Sequence, residues 1–237
     1  MLASSAAFTD TLIRRGIYPD VKDKPLLTPG YDMVGIVDKL GDGVTEFKEG
    51  QKVAELTIIG AYSEYIILSA SQFTLVPEEI DATEAVSLIL SYVTAYQMLT
   101  RSVNLRSGQT ILIHGAGGAV GSALLQLGSI LNLKMYGTAS KSQHDFLRGF
   151  GCHPIDYKNE SFVEEINRFE KRGLDAVFDP IGGDNFKRSM KIISKKGKLV
   201  AFGSYNASSG IGLIMDFLRL KIWNIDPWKP STTFYSI

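Results

Sequence analysis

The sequence predicts an α/β fold, with a mainly-β first part followed by a doubly wound parallel sheet. Three observations lead there. Over the first 80 residues, short apolar runs are broken repeatedly by Gly, Pro and Asp, the texture of strands and turns. From Thr110 onward, strand-like and helix-like segments alternate, the pattern of a parallel sheet with helices on its faces. Between the two, Thr110-Ile111-Leu112-Ile113-His114 runs directly into Gly115-Ala116-Gly117-Gly118-Ala119-Val120-Gly121 and then into the helical pattern Ser122 to Leu131. A chain of 237 residues has room for two compact units. We place them at residues 1–90 and 91–237.

In the first part, strands are expected at Gly30 to Lys39, Gln51 to Ile58, Ala61 to Ser69 and Phe73 to Val76, in an irregular barrel or sandwich. Leu40-Gly41-Asp42-Gly43 reads as a turn with positive φ at its glycines. After Pro77, Asp81 is placed to cap a helix with Glu84 three residues on and Ala85, Val86, Leu88 and Ile89 following; a second helical stretch is expected at Val93 to Val103. Beyond it, strands are expected near Thr110 to His114, Lys134 to Thr138, His153 to Ile155, Ala176 to Phe178 and Lys198 to Phe202. Helices are expected near Ala119 to Leu131, Lys141 to Phe150, Ser161 to Lys171 and Asn185 to Ile193. Leu213 to Ile222 reads as an apolar helix and Trp223 to Pro230 as a loop. The closing Phe234-Tyr235-Ser236-Ile237 has strand-forming residues but nothing that finishes a domain.

Strand, glycine turn and helix in that order form a dinucleotide-binding unit. Glycine permits a sharp turn and lets a diphosphate approach backbone N–H groups, whose orphan donors and helix dipole favour an anion. The pattern is a variant, Ala116-x-Gly118-x-x-Gly121, with alanine in the first glycine's place. The last glycine lets the helix pack close to the strand. The competing reading is an ordinary glycine-rich turn. At the end of the second strand, Met135-Tyr136-Gly137-Thr138-Ala139-Ser140-Lys141 has no carboxylate of the kind that holds the ribose hydroxyls of NAD. Ser140 offers a hydrogen bond and Lys141 a positive charge, a pair suited to a 2′-phosphate, which points to NADPH. Alternatively, Ser140 caps the following helix and Lys141 is simply solvated.

Composition narrows the function classes. Lys plus Arg equals Asp plus Glu at 25 each, so no overall positive field draws nucleic acid or an anionic membrane surface. No apolar run reaches the length of a bilayer span, and the first ten residues lack the pattern of a secretory signal, so a cytoplasmic protein is expected. The one cysteine, Cys152, excludes an internal disulfide and reads as a small apolar filler. With three histidines, His114, His144 and His153, all in the second part, a metal triad is not expected. His114, at a strand end, reads as a packed or hydrogen-bonded core residue.

The sequence resembles the zinc-free quinone oxidoreductase (zeta-crystallin-like) branch of the medium-chain dehydrogenase/reductase superfamily. The resemblance is carried by Ala6 to Pro19, Pro29-Gly30-Tyr31-Asp32-x-x-Gly35 with Gly41, Val44, Gly50 and Val53, Ile113 to Gly121, Asp179-Pro180-Ile181-Gly182-Gly183 and Gly197 to Gly203. It implies a partial GroES-like substrate domain, lacking its opening strands, followed by a partial Rossmann domain, lacking its final strand and C-terminal return, with NADPH and substrate in the cleft between them. It implies that Tyr18 and Thr94 face the nicotinamide and that Gly117, Gly118, Ala119, Val120 and Gly121 cover the diphosphate. Ser140, Lys141 and Tyr157 would hold the 2′-phosphate region, and Gly183, Ala201, Phe202, Gly203 and Ser204 would line the rest of the cofactor path. On residue type alone, Tyr18 and Tyr157 read as half-buried aromatics with satisfied hydroxyls. The zinc-dependent branch has His-Glu where this chain has Tyr31-Asp32. The implied activity is zinc-independent, NADPH-dependent hydride transfer to a quinone or an α,β-unsaturated carbonyl compound, including enoyl thioesters. Where the family often has Asn, and in some members Tyr, this chain has Ala7 and Leu12; a catalytically silent NADPH-binding relative is therefore the alternative. A homodimer contact along Leu213 to Ile222 is a further expectation beside that of a core helix.

Overall fold

The computed structural model describes residues 1–16, 18, 21, 27–206, 210–226 and 228–236. Ile17 and Pro19 of the first motif lie outside the described residues. The chain divides into two units, Met1–Val93 and Thr94–Ile237.

In the first unit, a short helix Phe8–Arg14 (α1) precedes an antiparallel sheet of Met33–Ile36 (β1), Lys52–Glu55 (β2) and Thr74–Leu75 (β3), in that spatial order. The β1–β2 register pairs Val34 with Ala54 and Gly35 with Val53. Three of the four expected strands are present but shorter. The fourth, Ala61 to Ser69, is not a strand. The amides of Ala61 and Tyr62 reach across to Gly30 O and Pro29 O, but the chain then turns, with the Ser63 hydroxyl placed against Gly60 O and Tyr65 O, and no strand follows. Ile67 is 97% exposed, and a strand with one apolar face bare gains nothing from forming. In the turn after β1, only Gly43 has the expected positive φ (+78°); Gly41 does not.

Ala82–Gln97 (α2) starts as the capping pattern predicts: Asp81 Oδ1 accepts the amides of Thr83 (2.8 Å) and Glu84 (3.4 Å). Val34, Ala85 and Val86 form its core against the sheet. The two helices expected at Asp81 and Val93 are one. It continues past Thr94 into a π-helical turn, Met98–Val103, and ends at Asn104 in the left-handed region, φ +60°.

Asp32 is buried, with its carboxylate accepting the amide and hydroxyl of Ser5 (2.9 and 2.8 Å). Burial pushes its pKa up against those bonds, and nearby Asp10 adds to the rise. The folded unit therefore holds this proton more tightly than the unfolded chain. The stability it contributes is complete below the ordinary value of 3.8 and is lost as pH rises through the higher folded value. Asp32→Asn should flatten that part of the stability–pH curve, read from thermal melts between pH 3 and 7, without lowering stability at neutral pH.

The second unit is a six-stranded parallel sheet. Its strands are Thr110–His114 (β4), Lys134–Ala139 (β5), His153–Asp156 (β6), Leu174–Asp179 (β7), Ile193–Ala201 (β8) and Ser231–Phe234 (β9), in spatial order β6-β5-β4-β7-β8-β9. The helices between them are Ala119–Ile130 (α3), His144–Gly149 (α4), Phe162–Phe169 (α5), Asp184–Ser189 (α6) and Gly210–Trp223 (α7). The sheet is the doubly wound order of a Rossmann fold, whose strand direction of growth reverses between β4 and β7. Leu112, Ile155, Leu174, Val177, Phe186 and Leu199 are among its buried core residues.

Two expectations are corrected. The sheet does not stop short: Ser231–Phe234 is its sixth strand, paired with β8 from Lys198↔Ser231 to Ala201↔Phe234. It is held by α7, where Phe217 packs on Phe234 at 4.2 Å and Thr232 Oγ1 donates to Leu220 O. The helix expected through Ile193 ends at Ser189, because Ile192 and Ile193 are buried and Ile193 opens β8. No helix among the described residues is long and apolar enough to cross a membrane.

Candidate functional site

Every side chain from Ile111 to His114 is buried, so β4 fixes where the glycine turn emerges from the sheet. Gly115 takes φ +64°, a left-handed turn closed to ordinary residues, and its carbonyl accepts the Gly118 amide at 2.9 Å. Thr138 of β5 holds the turn from beneath, its carbonyl accepting the Ala116 amide at 3.0 Å and its hydroxyl the Gly115 amide at 3.3 Å. Helix α3 makes its first intrahelical bond from Ser122 N to Gly118 O, 2.7 Å. The amides of Ala119, Val120 and Gly121 come before that bond and lie at the positive end of the helix dipole. Gly118 and Ala119 are exposed. Any Cβ on Gly121 would overlap Gly115 O and sit 2.7 Å from two backbone carbons of Ala116. The residues thus build an open cradle for an anion, with α3 pressed against its floor.

Parallel pairing brings the proposed 2′-phosphate residues together: Ala139 of β5 pairs with Asp156 of β6, so Ser140-Lys141 and Tyr157 leave neighbouring strands at the same edge. Ser140 sits at the helix-start position, but its hydroxyl lies 3.1 Å from Ser142 Oγ and makes no capping bond to the backbone. Lys141 is exposed and in no ion pair among the described residues. Tyr157 is exposed, with the Lys158 ammonium 5.9 Å from its ring centre.

Gly183, Phe202, Gly203 and Ser204 leave the next two strands, β7 and β8, also at their C-terminal ends. Ala201 is fully buried within β8. One carboxylate ties these loops to α7: Asp216 Oδ2 accepts the Gly183 amide (2.8 Å) and the Ser204 hydroxyl (2.7 Å). Arg219 binds its other oxygen at 2.8 Å and also donates to Gly183 O at 3.0 Å.

Beneath the turns lies a buried polar group. Asp179, wholly buried at the end of β7, accepts the amides of Ile181 (2.8 Å) and Gly182 (3.4 Å), Asn185 Nδ2 (2.8 Å) and Ser189 Oγ (3.0 Å). His114 sits 3.1 Å from Thr138 Oγ1 on one ring nitrogen and 3.1 Å from Ser189 Oγ on the other. Burial lowers its pKa from the ordinary 6.5; the Asp179 carboxylate opposes the fall and Arg188 adds to it. The native ring therefore refuses a proton that the unfolded chain accepts. The stability it contributes is complete above about pH 6.5 and drains away as pH falls from there, at up to ~1.4 kcal/mol per pH unit. Melts between pH 8 and 5 should show this loss, and His114→Gln should flatten it.

Three positions escaped the sequence reading. Gln143 lays its amide across Gly117, with Nε2 3.4 Å from the Gly117 carbonyl oxygen, in space that any side chain at 117 would need. Nothing in the local sequence marks it. Asp216 was open to notice as the one carboxylate of the helix Gly210–Trp223, and Asp179 as the start of Asp-Pro-Ile-Gly-Gly. Of the two residues expected at the nicotinamide, Tyr18 belongs to the first unit, its hydroxyl 2.6 Å from that of Tyr31 and the two rings edge to face. Thr94 belongs to the second, where it is buried and hydrogen-bonded with Tyr235, whose hydroxyl also donates to Gln97 Oε1. Burial raises the Tyr235 pKa.

Among the described residues, no three His, Cys, Asp or Glu side chains lie together so that they could hold a metal ion. Cys152 is buried in the second unit, where desolvation pushes its thiol up to about 12.

Residues 1–78 match the family described as alcohol dehydrogenase GroES-like domain, and residues 119–224 the family described as zinc-binding dehydrogenase. The chain is 37% identical to the synaptic vesicle membrane protein VAT-1 homolog of Rattus norvegicus over 219 residues, 92% of this chain and 54% of that protein. It is 30% identical to the quinone oxidoreductase of Homo sapiens over 201 residues, 82% of this chain and 60% of that protein. The solved quinone oxidoreductase of Escherichia coli complexed with NADPH superposes with a TM-score of 0.84 at 27% identity, covering 99% of this chain and 70% of that one. The chain therefore spans about half the length of the curated relatives it matches. With matched families over both units and a Rossmann sheet that overlays a quinone oxidoreductase, the chain belongs to the medium-chain dehydrogenase/reductase superfamily, in its zeta-crystallin-like branch.

Proposed function

We propose that this chain binds NADPH and serves zinc-independent reduction of a quinone or an α,β-unsaturated carbonyl compound. The observation that carries the cofactor choice is the end of β5, where Ser140 and exposed Lys141 stand beside Tyr157 with no carboxylate to favour an unphosphorylated ribose. The cradle fits the diphosphate: Gly118 and Ala119 are open to solvent, and Gly121 leaves no space for a side chain. The substrate class is supported by the printed names of the human and bacterial quinone oxidoreductases.

In this reading residues 1–90 form the substrate domain and 91–237 the nucleotide domain. Gly117 to Gly121 bind the diphosphate, Ser140, Lys141 and Tyr157 the 2′-phosphate, and Gly183 with Phe202, Gly203 and Ser204 the remaining cofactor path. When bound, NADPH supplies the hydride. The hydroxyls of Tyr18 and Thr94 orient the nicotinamide and the substrate carbonyl. No side chain is assigned as general acid, since solvent can protonate a delocalised quinol or enolate.

Fluorescence titration with NADPH and NADH tests the cofactor, and loss of nicotinamide absorbance with a panel of small quinones tests turnover. Lys141→Ala is expected to weaken NADPH binding by about tenfold or more while leaving NADH unchanged, the loss of one charge-assisted phosphate contact. Equal affinity of the wild type for the two cofactors overturns the 2′-phosphate assignment. Tight NADPH binding without oxidation by any quinone or enone overturns the reductase reading in favour of a silent nucleotide-binding relative.

A further inference from the structure

The buried polar groups beneath the glycine turn have a definite direction. Asp179 Oδ2 can only accept, so the Ser189 hydroxyl, 3.0 Å away, spends its one proton there. Ser189 Oγ must then accept from His114 Nε2 at 3.1 Å, which places the ring proton on Nε2. His114 Nδ1 is left as an acceptor, and its partner at 3.1 Å, Thr138 Oγ1, becomes the donor. With its own proton committed, Thr138 Oγ1 receives the Gly115 amide at 3.3 Å. Each step forces the next. The result is one chain of donors running from the Gly115 N–H through Thr138, His114 and Ser189 to Asp179, whose other oxygen holds the amides of Ile181 and Gly182.

We infer that His114 is a positioning residue: locked in the Nε2–H form, it joins the glycine turn after β4 to the Pro180–Gly183 turn after β7 and holds both in the arrangement that receives the dinucleotide. The inference rests on the NADPH reading above. These two turns leave the paired strands β4 and β7 at the point where the sheet reverses its order, and beyond the last paired residues, Ile113 and Phe178, the side-chain chain continues the connection between them. Burial and the nearby Arg188 favour a neutral His114, and only the Asp179 carboxylate opposes them. The Phe162 ring packs edge-on at 4.6 Å, Arg188 lies over the other side of that ring at 4.3 Å from its centre, and the nearest carboxylate, Asp179, is 3.9 Å from Nε2 with Ser189 interposed by hydrogen bonds. A positively charged ring would turn Nδ1 into a donor, so Thr138 would have to swing its hydroxyl proton away from the ring to another acceptor.

The test has two readouts on the full chain. Long-range proton–nitrogen NMR of the imidazole at pH 7.5 should show His114 as the Nε2–H tautomer, and an Nδ1–H tautomer overturns the chain as drawn. Thr138→Val keeps the shape but removes the hydroxyl, and it should weaken NADPH binding at least about fivefold and shift the amide resonances of Ile181 and Gly182 at the far end of the chain. Thr138→Ser should restore both. Valine that binds NADPH as the wild type does, with Ile181 and Gly182 unshifted, overturns the positioning role. Should Thr138→Val fail to fold, Ser189→Ala against Ser189→Thr reads the same link from its other end. A wild type that binds no NADPH overturns the cofactor reading and the positioning role together, and the tautomer still decides the hydrogen-bond chain separately.

Discussion

Gly121→Val is expected to abolish nucleotide binding and to lower stability by roughly 2–4 kcal/mol, as a buried overpacking change with no room to relax. The added carbons would run into backbone: Gly115 O and the Cα and carbonyl carbon of Ala116. None of these can retreat without loss, because the Ala116 amide is bonded to Thr138 O and Gly115 O holds the Gly118 amide. The helix must therefore move away from the turn, which opens the cradle and displaces the amides of Ala119 to Gly121 from any phosphate. Denaturant unfolding reads the first effect and NADPH fluorescence the second. Near-normal binding by Gly121→Val would mean that α3 does not supply the anion site. Gly121→Ala should fall between wild type and valine on both measures.

Asp179→Ala should destabilise the second unit by roughly 3–5 kcal/mol, the range seen when one partner of a buried charged network is deleted. Four donors lose their acceptor at once: the amides of Ile181 and Gly182, Asn185 Nδ2 and Ser189 Oγ. The site is wholly buried, so water does not readily replace the carboxylate. Asp179→Asn keeps the shape, but its NH₂ must face donors on one side, and it should recover only part of the loss. An alanine variant within 1 kcal/mol of wild type in chemical denaturation would show that the network can be reformed by solvent.

How much of this could be read from sequence depended on whether a signal was local. β4, its glycine turn and α3 follow directly from an apolar run, a glycine cluster and a 3.6-residue period, and they stand where expected. β9 did not, since Ser-Thr-Thr-Phe has strand propensity but becomes a strand only by pairing with β8 and by Phe217 packing on Phe234. Ala61 to Ser69 failed the other way: its short apolar run suits a strand, yet only its first two amides reach a neighbouring segment, at Gly30 O and Pro29 O, before the Ser63 turn. Ser140-Lys141 and Tyr157 leave neighbouring strands because β6 lies beside β5, a consequence of parallel-sheet order that no local pattern carries. Gln143 and the Thr138–His114–Ser189 link depend on side-chain reach across the sheet edge, which is set by packing alone.

The Asp216 carboxylate makes the seating of one helix and the shape of two loops a single variable. Because Gly183 and Ser204 hang from the same oxygen of an α7 residue, and α7 in turn is pinned to β9 through Leu220 and Phe217, the outermost strand of the sheet is mechanically continuous with the loops after β7 and β8. A change that shifts Asp216, Phe217 or Leu220 is therefore felt at once by both loops and by the sheet's outer edge.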